Sequence, residues 1–481
     1  MISIFIKEQK RYTQRELISL FESDSDEIIY IIKKLKEYGV LKAVTTSKYQ
    51  RNISDLFAEY VEIEEIESDE DDYFYVFTFV GVITAFGRVL KCYPKYIHNN
   101  DQPVKELTQI LQVIEKYRRK EQTIKMFNDS DESKSFNQLA VILYLLDDYY
   151  ENGLYENSLD IIEGNGDGEI LWDKTINETF ALISNNRPYY MEIYTQKNIN
   201  DEFDYFTRLH KSILSICSRE IYASGLDTLF GILTVDISDE ELDNFGDTED
   251  ILNNIQVELN RQFVTRKQLL LKIMYAYIAR SSHLNDFTSF SMYGTNSFNI
   301  IWEKVCAKVF ENQLMTPIRD LPVRVNGVNQ FSLLIDLVEK PHWHGKNNTC
   351  SRDAKDTLIP DIISLNKIDD SYQFIIFDAK YYNLTLEENK LSGHPGIGDV
   401  TKQYLYQLAY KQFIQEGGFV SVKNCFLMPT EDEEVINKGF VNLNMLDILD
   451  LESVQIRQLP ATEIYFNYLE NKKFEINRLK L

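Results

Sequence analysis

The stretch LIPDIISLNKIDDSYQFIIFDAKYYN, residues 358–383, constrains the fold more than any other part of the chain. Two apolar runs flank NKIDDS, whose Asn, Asp and Ser favour a turn, so the segment is expected to form a hairpin of two buried strands. Into those strands the sequence sets Asp361, Asp378 and Lys380. Side chains alternate along a strand, which puts Asp378 and Lys380 on one face and Ala379 on the other. Buried charges are costly unless they pair or bind a metal. The choice is therefore between a metal site and an ion pair.

At 481 residues, with 44% apolar and 13% aromatic side chains, the chain is long enough for several packed cores. A mixed α+β multidomain protein is expected, divided at 1–130, 131–290 and 291–481. Residues 12–44 predict two short helices. Thr13 caps the first, with Glu16 in the capping-box position, and Asp24 or Ser25 caps the second, which ends near Gly39. Ile28, Ile29, Ile32 and Leu35 are assigned to one face of that second helix, with Lys33, Lys34 and Lys36 away from it. With strands following, this part is similar to a winged helix-turn-helix that contacts either DNA or protein. The apolar run from Tyr73 to Ile97, broken by Gly81 and Gly87, predicts strands. Helical periodicity then dominates from 135 to about 290. No GxxxxGK[ST] occurs, which argues against an NTPase, and Trp172 and Lys174 are expected to be packing and surface residues.

The formal net charge of −24 argues against a general nucleic-acid coat. Local basic patches remain at 31–51, including Lys42, Lys48 and Arg51, and at 115–125. The acid gathers at 59–72 and 236–250, expected to be solvated loops. MISIFIKEQK is charged too soon for a secretory signal, and the longest uncharged apolar stretch, 73–87, is too short for a membrane span. Cys92, Cys217, Cys306, Cys350 and Cys425 are scattered without a CxxC pair, which points to a reducing, cytoplasmic compartment.

Around the opening hairpin the order of elements is informative. Residues 297–314 predict a helix with Ile301, Val305 and Val309 on one face, and LPVRV at 321–325 a strand. After the hairpin come the glycine-rich LSGHPGIG, a helix over 399–417 capped by Asp399, and a strand in FVSVKNCFLMPT. This order, with Pro360-Asp361 and Asp378-Ala379-Lys380, is similar to the PD-(D/E)XK nuclease core. Two carboxylates on neighbouring strands suit one hard divalent cation. Lys380 can then orient or help deprotonate the attacking water. Glu303 is a candidate third ligand. Gln403 and Tyr406 share a helix face and can position the metal water or the DNA backbone. His342, His344 and Cys350 fit no familiar zinc spacing, and a loop near the DNA path is the preferred reading.

Together with VGVITAFGRVLKCYPKYI, GEILWDKTIN, NRPYY and EKPHW, the stretch at 359–383 resembles the LlaJI family of restriction endonucleases. The resemblance spans most of the chain and is most specific in that last stretch. It implies a magnesium-dependent endonuclease (manganese as a substitute) acting on foreign double-stranded DNA, with Asp361, Asp378 and Lys380 at the catalytic centre. It also implies a cognate DNA methyltransferase and leaves open a homodimer. By looser analogy such chains resemble McrC, which works with an McrB-like AAA+ GTPase, although McrC lacks the N-terminal helix-turn-helix. A repair or recombination nuclease on the same core and a non-catalytic winged-helix regulator are the competing readings. A DNA methyltransferase or GTPase encoded alongside favours restriction over repair, and metal-dependent cleavage separates both nucleases from the regulator.

Overall fold

The run from Gln373 to Ala379 is buried without interruption, the pattern of a strand covered on both faces. It lies in a five-stranded sheet of the computed structural model, which describes residues 2–45, 73–118, 137–200, 203–279, 290–325, 327–348 and 350–481. The strands are β1 (Ile362–Ile368), β2 (Ser371–Ala379), β3 (Ser421–Thr430), β4 (Ile436–Val441) and β5 (Val454–Pro460), in the order β1-β2-β3-β5-β4. β1 and β2 form the antiparallel hairpin, β2, β3 and β5 run parallel, and β4 closes one edge antiparallel. The hairpin turn is tighter than expected. Only Asp369 and Asp370 stand outside the ladder, and Asp369 takes a φ of 49°.

Among the helices flanking this sheet are α1 (Phe298–Val309), α2 (Ile397–Ala409) and α3 (Ala461–Leu469). α2 lies in the crossover that joins the parallel strands β2 and β3. The α1 face made by Ile301, Val305 and Val309 is buried as its spacing predicts, and the Trp302 indole N–H donates to the Leu427 carbonyl of β3 at 3.1 Å. On the other side Phe374 and Ile376 pack with Tyr406, Tyr410 and Phe413. α1 stops at Val309 rather than near 314, because the chain turns to dock on β1, where the Gln313 N–H donates to the Ile363 carbonyl at 2.7 Å. The strand expected at 321–325 is absent. Pro322 has no N–H for a ladder, and Leu321 and Val325 instead pack into the core from irregular chain.

Near the N-terminus the helices Gln14–Phe21 and Ser25–Glu37 form as their caps predict. The Glu16 N–H donates to Thr13 Oγ1 at 3.2 Å and the Glu27 N–H to Asp24 Oδ1 at 2.8 Å. The second helix buries Ile28, Ile31, Ile32 and Leu35, while Ile29 is 54% exposed. The expected face was off by one residue: a 3.6-residue period pairs 28 with 31, 32 and 35. Strands Arg11–Tyr12, Tyr73–Phe77 and Leu41–Thr45 make a three-stranded antiparallel sheet with the 73–77 strand in the middle. The acidic run at 59–72, Lys48, Arg51 and residues 119–125 lie outside the described residues.

Contacts divide the chain into two units: a larger one of residues 3–83, 90–132 and 294–481, and a smaller one of 1–2, 84–89 and 133–293. Residues near both ends of the chain belong to the larger unit, and the smaller unit runs mainly through the middle of the chain. Its helices include Gln138–Asn152, Tyr205–Ala223, Thr248–Arg261 and Thr265–Ala279. Residues 158–200, however, are strand-rich, which corrects the mainly helical expectation. Ser158–Gly164, Tyr194–Asn200 and Glu169–Ile170 form one sheet, and Ala181–Ser184 pairs with Arg187–Tyr190. Asn185 and Asn186, at φ 51° and 62°, make the two-residue turn whose twist suits a hairpin. Trp172, expected to pack, is 52% exposed beside Tyr190. Among the described residues no helix is long and apolar enough to cross a membrane.

Candidate active site

Ile362 pairs with Phe377 across the hairpin, and carrying that register one step sets Asp361 opposite Asp378. Asp361 immediately precedes β1 and Lys380 immediately follows β2, so both stand just outside the strands in which they were expected. The ladder nevertheless continues, since the Lys380 N–H donates to the Leu427 carbonyl at 2.9 Å. Alternation therefore holds, and Lys380 Nζ lies 3.1 Å from Asp378 Oδ1 on the same face. The Ala379 N–H, donating to Asp361 Oδ2 at 3.2 Å, ties the two strand ends together. All of these groups gather at the C-terminal end of the parallel strands, where α/β sheets place their ligand sites.

α2 supplies the supports. Gly396 is its N-cap and Asp399 its third residue, not its cap as expected. Asp399 reaches back to accept the Gly396 N–H at 3.2 Å through Oδ2, and its Oδ1 lies 3.0 Å from Lys380 Nζ. One turn on, Gln403 Nε2 donates to Asp378 Oδ2 at 2.7 Å. A further turn on, the Tyr406 hydroxyl donates to the Ile359 carbonyl at 2.9 Å, steadying the approach to Asp361. Residues four and seven apart share a helix face, which explains the alignment of 399, 403 and 406. Gln403 and Tyr406 are both buried, so they hold the site from behind and face protein groups. Asp399 is the site residue that sequence reasoning missed. Its signal was a carboxylate one helical turn before Gln403.

The charges are tightly balanced. Burial, then a hydrogen bond and repulsion from Asp378 and repulsion from Glu303, push the Asp361 carboxyl up to about 8, against the pull of Lys380. Glu303 is raised by burial and by Asp378, with Lys380 opposing. Burial works to lower Lys380, but Asp378 and Asp399 outweigh it and leave the ammonium firmly protonated. Burial, then Asp378 and Asp361, push Tyr406 up to about 12, against the pull of Lys380. Asp378 Oδ1 is buried with no aligned hydrogen-bond donor. Two adjacent carboxylates, one with an oxygen short of a donor, fit a hard cation that takes one or two protein carboxylates and keeps its other positions for water and phosphate. Among the described residues no three His, Cys, Asp or Glu side chains are gathered to hold a metal. The expected trio with Glu303 is thus not assembled. Glu303 acts on the pair through its charge and lines the cleft beside Lys380.

The remaining candidates lie elsewhere. Lys33 is exposed, Lys34 pairs with Glu37 at 2.7 Å, and Lys36 is partly buried against the Tyr75 ring. His342 meets Asp353 at 2.5 Å in the short exposed hairpin His342–His344/Ser351–Asp353, with Cys350 exposed beside it.

A family model described as LlaJI restriction endonuclease matches residues 79–462. The type II restriction enzyme BsuMI component YdjA of Bacillus subtilis (strain 168) is 30% identical over 415 residues, covering 84% of this chain and 83% of that protein. A solved half-complex of Thermococcus gammatolerans McrB AAA+ hexamers with bound McrC overlaps 98% of this chain and 99% of that chain at 11% identity, with a TM-score of 0.36. The Thermococcus gammatolerans McrBC complex overlaps 65% of this chain and 88% of that chain at 12% identity and a TM-score of 0.28. Overlaps that loose do not fix this chain's fold.

Proposed function

Because the chain belongs to the LlaJI restriction endonuclease family, we propose that it is the nuclease of a restriction system, hydrolysing phosphodiester bonds of unmodified foreign double-stranded DNA. The observation that carries this reading is the convergence of Asp361, Asp378 and Lys380 at one end of a mixed sheet, braced by Gln403. The sheet with α1 and α2 is read as a PD-(D/E)XK core, and the N-terminal helices with their three-stranded sheet as a winged-helix-like module.

Asp361 and Asp378 would hold a magnesium ion, or manganese in its place. When bound, that ion supplies an acidified water and charge stabilisation at the scissile phosphate. The chain's own groups do the rest. Gln403 occupies Asp378 Oδ2 and so orients Oδ1 toward the reacting side. Lys380, protonated and steered by Asp399, orients the attacking water and offsets negative charge as the phosphate is attacked. Tyr406 anchors the Ile359 carbonyl and so holds Asp361 in register.

The Bacillus subtilis relative is named as a component, which supports a reading in which other polypeptides complete the enzyme. A nucleotide-hydrolysing subunit of the McrB-like AAA+ kind and a protective DNA methyltransferase are the proposed partners. The test is cleavage of unmodified phage DNA by the purified chain with magnesium, with and without the products of neighbouring genes. Absence of cutting in every combination refutes the nuclease reading.

A further inference from the structure

A cleft of about 770 Å³ opens beside the site, lined by Glu303, Ala379 and Lys380 and also by Lys7, Lys10, Arg11 and Lys95. In a chain of net charge −24, four cations besides the paired Lys380 against two carboxylates in one cleft is a local reversal of sign. One of those carboxylates is turned inward: Glu8 is buried, bonded to the Tyr381 hydroxyl and the Lys95 N–H, and raised by burial.

Lys380 is paired with Asp378 and Asp399, but three of the other cations are seated on aromatic rings and not on acids. Lys10 Nζ lies 5.0 Å from the Tyr12 ring centroid, the Arg11 guanidinium 5.9 Å from that of Phe74, and Lys95 Nζ 4.5 Å from that of Tyr381. Such contacts position a cation while leaving its charge available. None of the three forms an ion pair among the described residues. Gln9, at a φ of 57°, turns the chain between Lys7 and the exposed Lys10 and Arg11. Burial lowers both Lys7 and Lys95, a cost that an incoming anion would relieve. The amides of Asn296, Asn299 and Asn383 complete the lining with hydrogen-bonding groups.

We propose that this cleft carries the sugar–phosphate backbone of DNA to the carboxylate pair, with Lys10, Arg11 and Lys95 each neutralising a phosphate. The inference rests on the nuclease reading and adds the path of the substrate. Its test uses the full chain carrying Asp378→Asn, so that binding is read without cutting, and a fluorescent duplex titrated across a potassium chloride series. Adding Lys10→Ala and Arg11→Ala, both at exposed positions, should weaken binding about tenfold at low salt. It should also reduce the slope of log affinity against log salt by about 1.8, or about 0.9 per lost phosphate contact. Unchanged affinity and slope, or no DNA binding by the Asp378→Asn chain, would overturn the proposal. Cleavage by the unsubstituted chain is scored separately. Lost binding in the variant of a chain that never cuts, alone or with the products of neighbouring genes, leaves the cleft assignment standing and sinks the nuclease reading. Unchanged binding in the variant of a chain that does cut has the opposite meaning.

Discussion

Gln403 donates a 2.7 Å hydrogen bond to Asp378 Oδ2 from a fully buried position on α2, so one oxygen of that carboxylate is committed within the protein. Oδ1 lies 3.1 Å from the Lys380 ammonium without an aligned hydrogen bond. The carboxylate is thereby oriented, with one oxygen held and the other available. A chain that only needed an ion pair would have no use for a buried amide dedicated to aiming it.

Asp378→Asn and Lys380→Ala are each expected to lower magnesium-dependent cleavage by about 10³-fold or more, because groups acting as a unit fail together. Folding and DNA binding should persist, as judged by thermal melting and a binding titration. Near-normal cutting by either purified variant removes the site assignment.

Gln403→Ala should act more mildly and through Asp378. Groups that orient a metal ligand are worth about 10–100-fold in affinity or activity, so the magnesium concentration for half-maximal cutting should rise within that range. The measurement is a magnesium titration of the cleavage rate. A lower rate at unchanged magnesium dependence would mean that Gln403 serves only packing.

The hairpin was readable because its apolar runs, Ile362 to Leu365 and Phe374 to Phe377, bracket a polar turn and leave few alternatives. The register was less accessible. A six-residue turn and a two-residue turn look alike in sequence, yet only the latter sets Asp361 against Asp378. Asp399 was misjudged because a carboxylate near a helix start has a local use, capping, that hides its reach to Lys380. Residues 158–200 were misread because several of their strand side chains, such as Leu182 and Ile183, face solvent and leave no buried alternation to detect. The basic cleft was out of reach for another reason: Lys10, Lys95 and Lys380 meet only through long-range folding.

His210, in the smaller unit, is fully buried and accepts the Tyr155 N–H through Nδ1 at 3.0 Å, while its Nε2 has no partner. Burial lowers its pKa from 6.5 to about 4, with Asp148 opposing and Arg266 adding to the shift. The folded state therefore binds fewer protons than the unfolded one. The stabilisation is complete above about 6.5 and is lost as pH falls toward 4. The contribution is on the order of 2–3 kcal/mol over that window. Urea midpoints measured from pH 7 to 4.5 should fall less steeply for His210→Gln, which keeps an acceptor but cannot titrate. Identical slopes in the two proteins would remove His210 as the cause.

The chain alone is expected to cut poorly and to need a nucleotide-hydrolysing partner. Its sequence contains no GxxxxGK[ST] phosphate loop, and the Bacillus subtilis relative carries the name of a component. A nuclease active on its own would also endanger the genome of its host, so gating by assembly is a sensible control. A net charge of −24 favours a basic partner, since complementary charge speeds association. Adding the partner and its nucleotide should raise the cleavage rate about 100-fold, near the upper end of ordinary coupling between sites. The comparison is made with purified chain, magnesium and unmodified DNA, first without and then with partner and nucleotide. Efficient, site-specific double-strand cutting in the first tube would refute the partner requirement and leave the nuclease assignment intact.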